Sequence, residues 1–244
     1  MPYYVPARSH VDRLANLKAA KAADLADLAA LKRILTPPTV SQFNIISLYE
    51  PVVLAVATAE AKRSLEVSQK NAKYAKLLTF IRDYWECLKR RTNRLEHDAS
   101  VLLFAGLPLA GDVPAIPNEA TAVAFAKQIA KGDGDMVTAG FPAMSNPTAV
   151  EVQTACLAYE AEQKDIAPAD SVLDAALSAA QGMVADVDDA IEDVRAEVAH
   201  FNRKLDDPSI RRALRRYGMS FASNPGEPAE DPADNPVAPT PPTT

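Results

Sequence analysis

The chain has 244 residues, of which 48% are hydrophobic and 6% aromatic, and its formal net charge is −6. A chain of this length can bury a sizeable core, in one domain or in two small ones. Only 8 residues are Gly and several segments are rich in Ala, the best helix former, so the composition favours helix over strand. The negative net charge argues against nucleic acid as a partner, because a nucleic-acid binder needs surplus positive charge to displace counterions.

Nothing in the opening ten residues resembles a secretory signal, since Pro and Tyr stand where a basic region and an apolar run would be. No unbroken apolar run reaches the roughly 18 residues that span a bilayer. We therefore expect no signal peptide, no transmembrane segment and, by default, a cytoplasmic location. The two cysteines, Cys87 and Cys156, are expected to be small buried hydrophobic residues, and the sequence leaves open whether they pair.

The first predicted segment is an irregular arm over residues 1–9. It contains two prolines and the adjacent Tyr3 and Tyr4. Because a tyrosine can bury its ring while its hydroxyl stays wet, the arm is a candidate contact with a second subunit.

Two helices are predicted next. Ser9 is a candidate N-cap for a helix that runs to about Leu35, where Thr36-Pro37-Pro38 would stop it. Pro51 is well placed as the first residue of a second helix, which nothing breaks before about Leu103.

The middle of the chain, residues 104–146, is predicted to be an irregular apolar cap. Residues 104–118 hold three Pro and two Gly, which excludes a continuous helix. A short helix follows, from a cap at Asn118 to Gly132. The apolar tip of this cap is expected to plug the end of a helical bundle or to contact another subunit, and it comprises Leu102, Leu103, Phe104, Leu107 and Leu109.

The clearest pattern is a heptad seam near the C-terminal end. Asn146-Pro147 is the predicted start of a helix over about 147–165, which leads past Pro168 into the seam. Apolar residues then recur at alternating spacings of 4 and 3, which is typical of a long amphipathic helix in a bundle or coiled coil. The seam comprises Leu173, Leu177, Ala180, Val184, Val187, Ile191, Val194, Val198, Phe201 and Leu205.

A short helix is predicted from Asp207-Pro208 to Tyr217, ended by Gly218. One of its faces carries four arginines, which could bind an anion or an acidic partner or could pair locally: Arg211, Arg212, Arg215 and Arg216. Residues 222–244 hold seven Pro, four acidic residues and no Lys or Arg, which predicts an extended, polyproline-like or disordered tail.

Together these elements predict an all-α fold. We expect an elongated antiparallel helical bundle of about four long helices with an irregular apical cap and a Pro-rich tail. The predicted segments are an arm (1–9), a first helical half (10–103), the cap (104–146), a second helical half (147–221) and the tail (222–244).

No motif in the sequence predicts chemistry. Glu197 and His200 have the spacing of a di-iron ligand pair, but a second pair is missing and the seam directs His200 away from the core. Asp133-Gly134-Asp135 resembles the start of a calcium loop without its remaining ligands. We therefore expect no catalytic residues, no bound metal and no cofactor.

The leading functional hypothesis is a structural or assembly protein, a helical bundle that forms a homo-oligomer. The seams need partners, and opposite charges lie on different helices: ten Lys or Arg against four acids in 62–96, and fourteen acids against four bases in 151–207. The alternative is an adaptor that uses the Arg211–Arg216 face or the Pro-rich tail. A membrane-active helical protein and an enzyme are less favoured.

Overall fold

The computed structural model describes residues 3–222, so the tail predicted over 222–244 lies outside the described residues except for its first position. The predicted all-α class is confirmed, because the protein is 74% helical with little sheet. In chain order the elements are β1 (Tyr3–Val5), α1 (His10–Ala29), α2 (Pro37–Gln42), α3 (Ile45–Arg94), α4 (Val101–Phe104), α5 (Glu119–Thr138), α6 (Ala149–Gly182), α7 (Val184–Phe201), α8 (Asp207–Arg216) and β2 (Ser220–Ala222).

The chain forms two compact units. The terminal unit comprises residues 1–59 and 173–244, and the central unit comprises residues 60–172. Helices α3 and α6 each contribute residues to both units. The predicted halves, 10–103 and 147–221, are likewise both divided between the two units.

The terminal unit has a core built from both ends of the chain. Helix α7 packs against α1, α2 and α8. The largest fully buried side chains of this core are Leu17, Tyr49 and Tyr217, with Val187, Val194 and Val198 beside them. Residues 3–5, predicted to be irregular, instead form β1, which pairs antiparallel with β2 and sets Tyr4 opposite Phe221.

Helix α1 begins as predicted and ends earlier. The Ser9 hydroxyl accepts from the Asp12 amide at 3.0 Å, and the Asp12 carboxylate accepts from the Ser9 amide at 3.3 Å, which completes a capping box. The helix stops at Ala29 rather than Leu35, and Leu31 adopts a left-handed φ of 57°. Thr36-Pro37-Pro38 begins α2 instead of ending α1, because the first helical turn has no use for the amide that proline lacks.

Helix α3 begins at Ile45, six residues before the predicted start, and therefore contains Pro51. Because Pro51 has no amide hydrogen, the helix lacks only the backbone hydrogen bond that the Ser47 carbonyl would accept. The buried side chains of Ile46 and Tyr49 hold the preceding turns against the core. The helix ends at Arg94 rather than near Leu103, and residues 101–104 form the separate short helix α4.

The central unit packs α3, α4, α5 and α6 around one core. Its largest buried side chains are Leu77, Ile81, Tyr84, Trp85, Leu88, Leu107, Ile129, Met136 and Tyr159. The Asn118 cap is confirmed, since its side chain accepts from the Thr121 amide at 2.9 Å. Gly132 does not end α5, which continues to Thr138. A Cβ at Gly132 would lie 1.8 Å from the Phe104 carbonyl oxygen, so this glycine lets two backbones approach.

Helix α6 starts two residues after the predicted Asn146-Pro147 signal. The Thr148 hydroxyl accepts from the Glu151 amide at 3.1 Å, and the Thr148 amide donates to the Glu151 carboxylate at 2.8 Å. Thr148 is therefore the cap, and Asn146 is not. The helix continues through Pro168 to Gly182, and a turn at Met183 separates it from α7.

Candidate interaction surfaces

The predicted heptad seam falls on two helices and is buried mainly at its centre. On α7, Val187, Ile191, Val194 and Val198 are at most 4% exposed, and Ala180 on α6 is fully buried. The flanking residues are more accessible: Leu173 and Val184 are half-buried, whereas Leu177, Phe201 and Leu205 are 37%, 61% and 51% exposed. The chain's own helices therefore cover the centre of the seam, and only its ends are available to a partner.

Sequence reasoning missed two buried carboxylates on α1, of which Asp24 binds the segment after α1 and Asp27 binds the end of α8. Arg33 donates to both oxygens of Asp24, at 2.9 and 2.6 Å. Asp27 accepts from Arg216 and from the Tyr217 hydroxyl, the latter at 2.6 Å. Burial and this bond to the Asp27 carboxylate raise the pKa of Tyr217. Both acids are thus paired, as buried charges must be.

Glu197 and His200 do not converge on a metal position. The Glu197 carboxylate accepts from the Thr36 amide at 2.8 Å, and from the hydroxyls of Thr36 and Thr39 at 2.6 and 2.7 Å. Burial acts to raise the pKa of Glu197, but these three bonds outweigh it and leave the pKa below its usual value. The Nε2 atom of His200 lies 2.7 Å from the Arg203 guanidinium. Glu197 therefore supports the N-terminus of α2.

The four arginines of α8 take part in contacts within the chain. Arg216 donates to the buried Asp27, Arg212 donates to the Ser209 hydroxyl at 2.8 Å, and Arg215 lies 5.6 Å from the centre of the Phe221 ring. Arg211 also interacts with other residues. These contacts fit the local-pairing interpretation, and binding of an anion or an acidic partner stays a prediction.

The two tyrosines of the arm have different surroundings. Tyr4 packs on Phe221, with 6.0 Å between ring centres, and the Arg195 guanidinium lies 5.2 Å from its ring. Burial, followed by the charge of Glu192, raises the pKa of Tyr4. Tyr3 is 55% exposed. Within the terminal unit Tyr4 is therefore a core contact, whereas Tyr3 remains accessible.

The apolar tip lies in the central unit and is partly buried. Leu102 and Leu107 belong to the core, Phe104 is half-buried, and Leu103 and Leu109 are exposed. The adjoining backbone is held in place because the indole nitrogen of Trp85 donates to the Ala105 carbonyl at 2.9 Å.

The segregated charges of the sequence meet in the central unit. Arg63 pairs with Asp170 and Lys73 lies 4.0 Å from Glu162, which brings the basic part of α3 against acids of α6. At the start of α5, Glu119 accepts from Lys70 at 2.8 Å and from the Tyr159 hydroxyl at 2.7 Å. The Lys70 ammonium, followed by that hydroxyl, lowers the pKa of Glu119.

One group of carboxylates in the central unit could hold a cation. Oxygens of Glu66, Glu162 and Asp165, named here the carboxylate cluster, lie within 4.8 Å of one another. Glu66 and Glu162 are half-buried and Asp165 is exposed, and the Lys73 ammonium competes for Glu162. The cluster offers no buried ligand that would distinguish it from an ordinary acidic surface.

Neither cysteine is in a disulfide. Cys156 is 2% exposed at a pocket of about 340 Å³ between α5 and α6, where Lys127 pairs with Glu160. Burial, followed by the charge of Glu160, raises the pKa of the Cys156 thiol. A thiol kept protonated in this way is a poor nucleophile, because the thiolate is the reactive form.

One exposed apolar surface of the terminal unit lies on α3. We name it the α3 outer face, and it comprises the exposed, uncharged residues Ser47, Leu48, Pro51, Leu54, Ala55 and Thr58. Leu48 is 64% exposed and Leu54 is 66% exposed. The Ser47 hydroxyl donates to the Asn44 carbonyl at 2.7 Å, and the Thr58 hydroxyl donates to the Leu54 carbonyl at 2.8 Å. Both hydroxyl protons of the face are therefore already bonded within the helix.

The helical stretch that contains the α3 outer face has the length and composition of a membrane-spanning helix. Among the described residues, the helical stretch 37–94 is long and apolar enough to cross a membrane by length and composition, although core helices of soluble proteins meet the same criteria. The sequence analysis expected no such stretch. The expectation rested on an unbroken apolar run, whereas the helical stretch qualifies by its length and mean hydropathy. Residues 40–59 contain several polar residues and a single charge among apolar ones, so they form no unbroken run.

Comparison with protein-family models, with curated proteins and with solved structures finds no match to this chain. Function must therefore be argued from the surfaces described above. Of these, the α3 outer face presents two leucines that are about two-thirds exposed on a helix face without charge, and the sequence-predicted sites do not include it.

Proposed function

We propose that this protein is a non-catalytic structural protein that acts by self-association, and that two copies meet through their α3 outer faces. One observation carries the proposal: Leu48 and Leu54 are about two-thirds exposed on a helix face without charge. The same unit has a core of buried apolar side chains, to which these two leucines do not belong. Exposed apolar patches that persist in a folded chain commonly mark interaction sites.

A second copy suits this face for electrostatic reasons. A two-fold contact pairs the face with itself, so a charge close to the two-fold axis would meet its own equivalent. Within the α3 outer face there is none to repel. At its edge Glu50 is neutralised by Lys18 of the same chain.

The hydroxyls of the face support the same conclusion. Burial of a hydroxyl without a partner costs free energy, but Ser47 and Thr58 each keep a bond to their own helix. The polar atoms of both side chains can therefore enter a contact without losing those bonds.

The expected strength follows from the exposed leucines. Full burial of a leucine is worth about 1.5–3 kcal/mol, so four side chains that are two-thirds exposed contribute about 4–8 kcal/mol across a two-fold contact. Association costs about 4–15 kcal/mol in lost freedom. The contact therefore lies near balance, and the dimer should form in a concentration-dependent manner.

Sedimentation velocity of the full chain over a range of micromolar concentrations tests the proposal. The wild-type mass should rise with concentration, and Leu54→Glu should abolish the rise because each two-fold contact would bury two carboxylates. Leu25→Glu is the matched control, since Leu25 is a 54% exposed leucine on α1 of the same unit.

Three outcomes would contradict the proposal. One is a wild-type chain that stays monomeric at every concentration, and another is a Leu54→Glu variant that associates like the wild type. The third is a wild-type chain that stays monomeric in solution but binds neutral phospholipid vesicles through Leu54, which would make the α3 outer face a membrane contact.

A further inference from the structure

We propose that a groove at the C-terminal end of α7 binds the chain's own proline-rich segment, residues 223–244. This α7 groove has a volume of about 750 Å³ and is lined chiefly by Ile34, Glu197, His200, Phe201, Arg203 and Lys204. It lies entirely in the terminal unit and is separate from the α3 outer face, so the inference does not depend on the proposed function.

The groove presents an aromatic surface to solvent. Phe201 is 61% exposed although it belongs to the heptad seam, because it is the last residue of α7 and the chain turns after it. The imidazole of His200 and the half-buried Ile34 line the same groove. Aromatic-lined grooves are the typical receptors of polyproline helices, whose rings pack on flat apolar surfaces without an entropic cost of folding.

The segment that follows Ala222 has the sequence of such a ligand. It contains seven prolines in 22 residues and three Pro-x-x-Pro repeats, which start at Pro225, Pro236 and Pro239. This spacing places prolines on one side of a helix with three residues per turn.

The charges of the groove and of the segment are complementary. Arg203 and Lys204 are both exposed at the groove, and the Glu197 carboxylate is engaged by Thr36 and Thr39. The segment carries four acidic residues and no Lys or Arg, and they are Glu227, Glu230, Asp231 and Asp234. A basic rim beside an aromatic floor therefore suits a proline-rich peptide that is acidic.

The segment starts close enough to reach the groove. Phe221 of β2 packs on the ring of Tyr4, and that ring lies 5.2 Å from the guanidinium of Arg195. Arg195 comes just before the part of α7 that lines the groove. From residue 196 to the end of α7 at residue 201 the helix rises only about 8 Å, whereas 22 extended residues span up to about 70 Å. Such a tether keeps the segment at an effective concentration near the millimolar range, so even weak binding would be populated.

Zero-length carbodiimide crosslinking of the full chain, with peptide mapping by mass spectrometry, tests the inference. Lys204 should crosslink to carboxylates of residues 223–244 at least about fivefold more than Lys164, which is an exposed lysine of the central unit. Phe201→Ala should bring the Lys204 yield down to that of Lys164, whereas Leu25→Ala should leave it unchanged. Mixing chains of two isotopic compositions shows whether the segment comes from the same chain or from a second copy.

Equal yields at Lys204 and Lys164 would overturn the inference, and so would a Lys204 preference that survives Phe201→Ala. Because Phe201 is exposed and Leu25 is a similarly exposed residue of the same unit, neither alanine variant should unfold the chain. The Leu54→Glu variant separates the two proposals, since it should abolish self-association and leave the crosslinks within a single chain intact.

Discussion

Two glycines of α5, only two positions apart, should respond to alanine in opposite directions. A Cβ at Gly132 would lie 1.8 Å from the carbonyl oxygen and 2.5 Å from the carbonyl carbon of Phe104, whereas a Cβ at Gly134 would have no atom within 4 Å. Both glycines are inside the same helix, so the intrinsic gain from replacing Gly by Ala, about 1 kcal/mol, is the same. The difference between the two variants therefore isolates the contact with α4.

The magnitude at Gly132 follows from what must move. The obstacle is backbone, and the next residue, Ala105, is held by the bond from the Trp85 indole at 2.9 Å. Overpacking costs about 1–3 kcal/mol, and a buried Trp85 donor left without its acceptor costs a further 1–3 kcal/mol or so. After the helix gain of about 1 kcal/mol is subtracted, Gly132→Ala should destabilise the central unit by about 1–5 kcal/mol. Gly134→Ala should stabilise it by about 0.5–1 kcal/mol.

Urea denaturation followed by tryptophan fluorescence measures both effects. Trp85 is the only tryptophan and lies in the core of the central unit, so its emission reports on the unit that contains both glycines. With a slope of about 2 kcal/mol/M, the midpoint should fall by about 0.5–2.5 M for Gly132→Ala and rise slightly for Gly134→Ala. A Gly132→Ala variant as stable as the wild type would refute the close approach of α4 and α5.

Three further predictions concern the cores and the carboxylates. Ile191→Asp should lower the free energy of unfolding by several kcal/mol because Ile191 is 4% exposed. Asp189→Ala, on the exposed side of α7, should change it by less than about 0.5 kcal/mol. Equal melting temperatures of the two variants would contradict the burial of the α7 side that carries Ile191. The pKa of Glu119 is lowered from 4.5 by Lys70 and Tyr159, so its stabilising effect is present above about pH 4.5 and is lost as the pH falls through the lowered pKa. Glu119→Gln should therefore destabilise the protein at pH 7, and urea midpoints of variant and wild type should converge as the pH falls below the lowered pKa of Glu119; a constant difference would count against the linkage. The purified protein should contain no stoichiometric metal at the carboxylate cluster, which elemental analysis checks, and one equivalent of a divalent metal would disprove this.

Local signals in the sequence were sufficient for the starts of α1, α5 and α8 and for the fold class. Ser9 and Asn118 are caps in the structure because a short polar side chain next to a helical pattern can satisfy the first free amides wherever the helix packs. Proline and glycine were less informative. Pro51 and Pro168 lie inside helices, and Gly132 serves a contact 28 residues away in the chain, because tertiary packing can outweigh the cost of a lost bond or a flexible residue.

The surfaces were harder to predict because an apolar stripe specifies that something covers it and does not specify what. The heptad seam pointed to a partner helix, and at Val187, Val194 and Val198 that partner proved to be the rest of the same chain. Likewise Asp24 and Asp27 interrupt the apolar side of α1, and only the fold shows that Arg33 and the α8 end neutralise them.

The α3 outer face shows the converse case. Its leucines lie in the most apolar stretch of α3, so a local pattern would place them in a core. That stretch, however, has more apolar side chains than one side of a helix can hold. Ile46, Tyr49 and Val53 fill the core side, and Leu48 and Leu54 are left on the other. The terminal unit covers one of these sides and leaves the other exposed, which is why we propose self-association through this face rather than through the seam.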